Sequence, residues 1–310
     1  MPGYRRDKTG EHCMTRHPSF RAILGLGIIA FIWGYNWVVI KEALQFAGPF
    51  TFASLRALSG GAILFAMVFI LRRSPSPGSF WGILLLALLQ TTGFFGLSVW
   101  ALVSGGAGKI AVLVYTMPLW MLILAWPLLG ERIRGLQWLS VFLEFIGLVL
   151  ILRPWSLRPQ FLSMVLAVSA GFIWALAGIW NKRLRQRVKI DLLAVSAWQL
   201  LLGGIPLLII AMWQESTPIQ WTPYFIFAIA YNAVLGTAIA WTLWFFALQE
   251  LPAGIAGMGI LFAPVVGVLA AWLQLGEVPG IDEGFGMICI FTALAVLSWW
   301  RIRKRNDIEL

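Results

Sequence analysis

The chain has little charge and almost none of the side chains that usually carry chemistry. Of its 310 residues only 12% are charged, about half the share of an ordinary soluble domain. There are two histidines, His12 and His17, both in the N-terminal tail, so an imidazole metal site in the apolar remainder is excluded. Cys13 in that tail and Cys289 in an apolar run are the two cysteines, and they indicate neither a disulfide framework nor a thiolate metal centre. A P-loop pattern is missing too, which removes ATP as an energy source and leaves no cofactor to expect. An enzyme built on these shortages would lack the common nucleophile, base and metal sets.

What is present is hydrophobic: 60% of the residues, arranged in runs near the roughly 20 residues that a helix needs to cross a bilayer. The fold class expected is an all-α polytopic membrane protein. Hydropathy and helix breakers predict ten transmembrane helices, at 22–41, 50–71, 80–103, 107–129, 135–153, 160–181, 192–213, 222–248, 252–275 and 281–300. The first comes after a basic leader like that of a signal peptide. It lacks a small-residue cleavage site and runs on into WGYNWVVIK, so it is read as a retained helix. Connections such as RRSPSPGS at 72–79 and QESTPIQ at 214–220 are turn-rich and short, too short to fold alone.

The net charge of +10 comes from short basic clusters between apolar runs, which suit lipid headgroups and speak against nucleic acid. Eighteen Lys and Arg fall in the tails and alternate loops, four on the opposite side (Lys41, Lys109, Arg153, Arg158), and Arg56 lies inside the second helix. That imbalance predicts both termini in the cytoplasm, N-in and C-in. Trp81, Trp100, Trp126, Trp138, Trp155, Trp213, Trp221, Trp299 and Trp300 lie near helix ends, where an interfacial aromatic belt would place them.

The chain also repeats itself. Pro118 and Pro264, then Gly130-Glu131 and Gly276-Glu277, match at an offset of 146. Trp33 and Lys41 echo Trp174 and Lys182 at 141, and Gly60-Gly61 echo Gly203-Gly204 at 143. These pairs predict a cytoplasmic tail at 1–19, five-helix repeats at 20–153 and 160–303, and a cytoplasmic tail at 304–310. Five is odd, so the second repeat must be inverted, an architecture of transporters with the substrate at the midplane.

With W-G-x-x-W-x-x-x-K in the first helix, an Arg in the second and P-x12-E closing the fourth and ninth, the chain resembles the EamA family of the drug/metabolite transporter superfamily. The resemblance implies a carrier of the bacterial inner membrane, often an exporter of amino acids or related metabolites, driven by an ion gradient or by the substrate's own.

Several residues stand out as candidates. Glu144, in the middle of the fifth helix, is a proton-coupling candidate or else a group bonded to a neighbouring helix; Ile290 is its counterpart. Arg56 could grip a substrate carboxylate through its planar fork, or snorkel outward as an anchor. Glu131 and Glu277 end the fourth and ninth helices as gates, capping partners or solvated carboxylates, while Lys41 and Lys182 read as snorkelling anchors. Pro118 and Pro264 predict kinks or hinges within those two helices. Trp33, Asn36, Trp37, Gln90, Tyr115, Trp174, Tyr231, Asn232 and Trp241 form a polar and aromatic set suited to an amphipathic ligand.

The expectation is therefore a secondary transporter that exports small metabolites by alternating access, with a proton as a candidate coupling ion, as a monomer or weak homo-oligomer. Efflux of drugs or organic cations and metabolite import are the alternatives within transport. Glu144 lining the interior would favour cations, and Arg56 turned inward would favour carboxylates. A membrane enzyme or a scaffold is the alternative of another class.

Overall fold

The computed structural model describes residues 20–130, 132–153, 160–188, 191–250 and 262–309. Among these residues there is no β-strand. The helices are α1 (Phe20–Ala43), α2 (Pro49–Ile70), α3 (Phe80–Ala87), α4 (Phe94–Ser104), α5 (Ala107–Val114), α6 (Met117–Leu129), α7 (Gln137–Leu152), α8 (Phe161–Arg187), α9 (Leu192–Gln214), α10 (Pro223–Ala230), α11 (Ala240–Glu250), α12 (Phe262–Leu275) and α13 (Ile281–Glu309). Two π-helical segments join α3 to α4 (Leu88–Gly93) and α10 to α11 (Tyr231–Ile239).

Eight segments are long and apolar enough to cross a membrane, among them the continuous rods Phe80–Ser104 and Pro223–Trp244. The remaining two expected crossings correspond to shorter apolar helices, α7 with 16 residues and α12 with 14. Part of the ninth expected span, 252–261, lies outside the described residues.

Three boundaries differ from the sequence expectation. α8 continues to Arg187, so the basic residues after 181 extend a helix. Likewise α13 runs to Glu309, through most of the expected C-terminal tail. The expected 107–129 helix is broken at Tyr115-Thr116, and Pro118 lies in the first turn of α6. Proline is at home there, because the N–H it lacks would have no partner in a first turn anyway. Pro118 therefore opens a helix where a mid-helix kink was expected. Pro264 is buried in the first described turn of α12.

The helices pack α1 on α11 and α12, α2 on α9, α4, α5 and α6 on α8, α5 on α12, and α7 on α13. Large apolar side chains such as Phe69, Ile70, Leu273 and Phe285 are exposed around the bundle, as befits a protein solvated by hydrocarbon. Trp81, Trp100, Trp126, Trp138, Trp213, Trp221 and Trp299 of the expected belt are exposed too. Trp155 lies outside the described residues.

Candidate functional site

Small residues bring the helices at the centre into close contact. A Cβ on Gly61 would sit 2.9 Å from Leu201, and one on Gly204 would sit 2.9 Å from Leu58, so α2 and α9 cross at paired glycines. Neighbouring glycines receive the π segments: Gly203 lies against Thr91, and Gly60 against Thr237. A π turn inserts one residue into the helical ladder and re-aims the side chains beyond it, which is why such turns concentrate at functional sites. Thr92 Oγ1 donates to the Gly203 carbonyl at 2.8 Å, and Thr237 Oγ1 to the carbonyl of Asn232, also at 2.8 Å.

Arg56 of α2 faces this region. It shares a stripe with buried Phe52 and Gly60, and its guanidinium carbon lies 4.0 Å from the centre of the Phe95 ring of α4. Among the described residues no carboxylate comes within ion-pairing distance of it. Its half-buried cationic head is stacked on an aromatic face.

The α1 stripe meets the second π segment. Trp33 Nε1 donates to the Gly236 carbonyl at 3.0 Å, and its ring meets Trp241 edge-on at 6.3 Å. Tyr231 is buried, with its hydroxyl donating to the Ile32 carbonyl at 2.8 Å. Asn232 donates to the Ala228 carbonyl, yet its Oδ1 is buried without a hydrogen-bond partner, as are Asn36 Oδ1 and Thr91 Oγ1. α1 packs on α4 and the second π segment, and α2 packs on the same two elements; the contacts of Trp33 with Gly236 and Trp241, Arg56 with Phe95 and Gly60 with Thr237 mark the candidate region.

The other candidates separate from it. Trp37 is buried against Gly267 of α12. Tyr115 is buried at the α5–α6 break. Gln90 and Trp174 are half-buried on the first π segment and α8, which pack together. Glu144 is fully buried on the face of α7 that meets α13, one turn before Gly147 packs on Gly286, and neither carboxylate oxygen has a partner among the described residues.

At the end of the bundle away from the basic loops, carboxylates clamp helices that lie far from them in sequence. Gly276 adopts the left-handed conformation that ends α12, with φ 66°, and carries the chain into Glu277. The Glu277 carboxylate accepts from the N–H groups of Ala107 (2.9 Å) and Gly108 (3.1 Å), capping α5. Of the readings open to Glu277, capping is the one its geometry matches. Glu131, its repeat partner, lies outside the described residues.

Residues that sequence reasoning passed over do the same work. Glu215 accepts from Phe50 N (2.7 Å), Thr51 N (2.9 Å) and Thr51 Oγ1 (2.6 Å) at the start of α2. Lys109 pairs with Glu283 at 2.6 Å, and Arg153 pairs with Asp282. Lys41, read as an anchor, donates to the carbonyls of Leu102 (2.7 Å), Val103 (3.3 Å) and Gly105 (3.0 Å), closing the C-terminus of α4. The sequence signal for these clamps is weak, since each cap belongs to a helix other than its own. No group of three or more metal-ligating side chains occurs among the described residues.

A bundle of apolar membrane-crossing helices, with two π segments, a cation stacked on an aromatic ring and amide oxygens buried without partners among the described residues, fits an integral multi-pass membrane transporter. The comparisons fix the family within that class. The EamA-like transporter family model matches residues 20–153 and again 161–299, and the chain belongs to this family. It is similar to the uncharacterized transporter YoaV of Bacillus subtilis, at 28% identity over 291 residues, 92% of this chain and 99% of the relative. It is also similar to a probable amino-acid metabolite efflux pump of Salmonella typhimurium, at 26% over 310 residues, 96% of this chain and all of the relative. A crystal structure aligns with a TM-score of 0.65 at 18% identity, covering 91% of this chain and 98% of that one, which shows a shared fold. The chain is a transporter and not an enzyme.

Proposed function

We propose that this protein is a secondary transporter of the bacterial inner membrane that exports small amphipathic metabolites carrying a carboxylate, amino acids among them. The observation that carries the substrate class is Arg56, stacked on Phe95 inside the bundle with no carboxylate paired to it among the described residues. A substrate carboxylate would supply that missing anion through paired, charge-assisted hydrogen bonds. The aromatic rings of Trp33, Trp241 and Phe95 would hold its apolar body. A relative's name, amino-acid metabolite efflux pump, supports the same class.

The proposed mechanism is alternating access between two inverted five-helix repeats, ten crossings with both termini cytoplasmic. Its support is that the family model matches twice and that packing exchanges between the halves: Gly61 on Leu201 and Gly204 on Leu58 are related by the same shift of 143 residues. The proposed coupling ion is a proton carried by Glu144, supported by the burial of its unpartnered carboxyl group. Glu144 packs between α7 and α13, away from Arg56, and on that ground we rank organic-cation efflux behind carboxylate export.

Counterflow in proteoliposomes, with labelled amino acids and organic cations and with or without a pH gradient, tests these points. Carboxylates are expected to exchange and cations not; the reverse preference overturns the substrate class. If Glu144→Gln still responds to the pH gradient like the unaltered protein, the coupling role is wrong.

A further inference from the structure

The basic end of the bundle holds a recess built from α3 and α8, well away from Arg56. It measures about 390 Å³ and is lined by Ser79, Trp81 and Gly82 at the start of α3 and by Trp180, Arg183 and Arg187 at the end of α8. Its shape is fixed from within. Ser79 caps α3 by accepting from Gly82 N at 3.3 Å, and Trp180 Nε1 donates to the Gly82 carbonyl at 2.8 Å. A Cβ on Gly82 would lie 2.6 Å from the Leu184 side-chain end, so α3 and α8 approach closely here.

Three features give the recess a preference for an anion. The first-turn N–H groups of Phe80 and Trp81 have no hydrogen bond among the described residues, and the positive end of α3 points the same way. Arg183 is oriented by donating to the Leu128 carbonyl. Arg187 is exposed and has no ion pair among the described residues. Among the described residues no carboxylate lines the recess; Asp191, the nearest acid along the chain from α8, is occupied in capping α9 and pairing with Arg73 at 3.2 Å.

The flank of the recess is apolar and outward-facing. Trp81 and Leu85 are both exposed on the bundle surface, where hydrocarbon chains lie, and Trp81 belongs to the interfacial belt. An ion from solution has no use for that flank, whereas a lipid presents a phosphate and acyl chains together. We propose that this recess binds the phosphodiester headgroup of an anionic membrane lipid, with Arg183, Arg187 and the start of α3 on the phosphate and Trp81 and Leu85 along an acyl chain. Basic recesses between transmembrane helices at a charged face are suited to such headgroups.

Native mass spectrometry of the full-length protein in detergent tests this, with phosphatidylglycerol, phosphatidylcholine and inorganic phosphate as probes. The expected result is preferential retention of phosphatidylglycerol, undiminished by excess phosphate. Arg187→Gln should weaken it about fivefold, the effect of one basic side chain near a lipid surface. Arg132→Gln, an exposed charge on a different loop, should leave it unchanged. Arg187 bonds to no other described group, so its loss leaves the fold intact, whereas Arg183→Gln also frees the Leu128 carbonyl. Equal retention of the two lipids, displacement of phosphatidylglycerol by phosphate, or equal losses in Arg187→Gln and Arg132→Gln would each overturn the proposal.

Discussion

Gly61 of α2 meets Leu201 of α9, and Gly204 of α9 meets Leu58 of α2; a shift of 143 residues turns one contact into the other. The same shift carries the start of the first π segment, Leu88, onto the start of the second, Tyr231, and Gly93 onto Gly236. The chemistry placed on this repeated frame does not keep to it. Arg56 maps to Gln199, Phe95 maps to Ala238, and Thr92 donates across to α9 while Thr237 donates within its own segment. Close packing recurs in both halves, whereas the cation occurs in one, and the rings of Trp33 and Phe95 on one side and Trp241 on the other are not matched by the shift.

The largest expected effect comes from that asymmetry. Arg56→Gln should lower counterflow of a labelled amino acid by about tenfold or more, the weight of charge-assisted hydrogen bonds in a site poor in water. Gln199→Met, its counterpart, should stay within about twofold, because a volume-conserving swap costs little. Equal losses in the two variants would mean that the halves share the recognition of substrate.

Next in size is a difference between the matched glycines. A Cβ at Gly203 meets the backbone carbonyl of Ala87 at 2.6 Å and Thr91 Cβ at 2.5 Å. At Gly60 the closest atom is the hydroxyl of Thr237, at 3.0 Å. A backbone carbonyl cannot swing aside as a threonine side chain can. Gly203→Ala is therefore expected to cost about 1–3 kcal/mol in thermal unfolding, as overpacking does, and Gly60→Ala less than about 1. The opposite order would show that the two π segments are not held in equivalent grooves.

These contacts also show what was legible in the sequence. Hydropathy sufficed for the eight segments long and apolar enough to cross a membrane, because an apolar run has one inexpensive place to be. The glycine pairs were legible as a repeat at offset 143 but not as partners; that they meet at the α2–α9 crossing came from the structure. The π turns left no mark: LLQTTG and YNAVLGTAI share a final or near-final glycine and little else. Pro118 misled because proline forbids a helix interior while favouring a first turn, and the break at Tyr115-Thr116 decides between them. The clamps by Glu215 and Lys41 were out of reach, and Glu277 was legible as one of several readings, a capping partner, but not with the helix it caps, because each completes a helix more than 60 residues away. Arg56 was legible as a residue but not as a direction; the stripe it shares with Phe52 and Gly60 supplies that.

Two of those clamps make the third comparison. Glu215 closes the start of α2 with three accepted hydrogen bonds, and Glu277 closes the start of α5 with two. Replacing either with alanine is expected to cost about 1 kcal/mol, the usual weight of an N-terminal cap, with Glu215→Ala the larger because it also strands the Thr51 hydroxyl. Thermal unfolding in detergent reads both, and a neutral result for either would mean that water replaces that carboxylate without loss.

The smallest expected effect compares two tryptophans. Trp33 Nε1 donates to Gly236 O at 3.0 Å, and Trp180 Nε1 to Gly82 O at 2.8 Å. Each Trp→Phe change deletes one hydrogen bond and keeps most of the ring, so each should cost stability by about 0.6 kcal/mol, typical of polar contacts between membrane helices. Their effects on transport should nevertheless differ. Gly236 lies in the π segment that packs against α2, two elements of the region around Arg56, whereas Gly82 lies at the basic end of the bundle. Trp33→Phe is thus expected to raise the KM of counterflow, and Trp180→Phe to leave it unchanged. If both variants alter KM alike at equal stability cost, Trp33 acts through helix packing in general, and the substrate region contracts to α2 and α4.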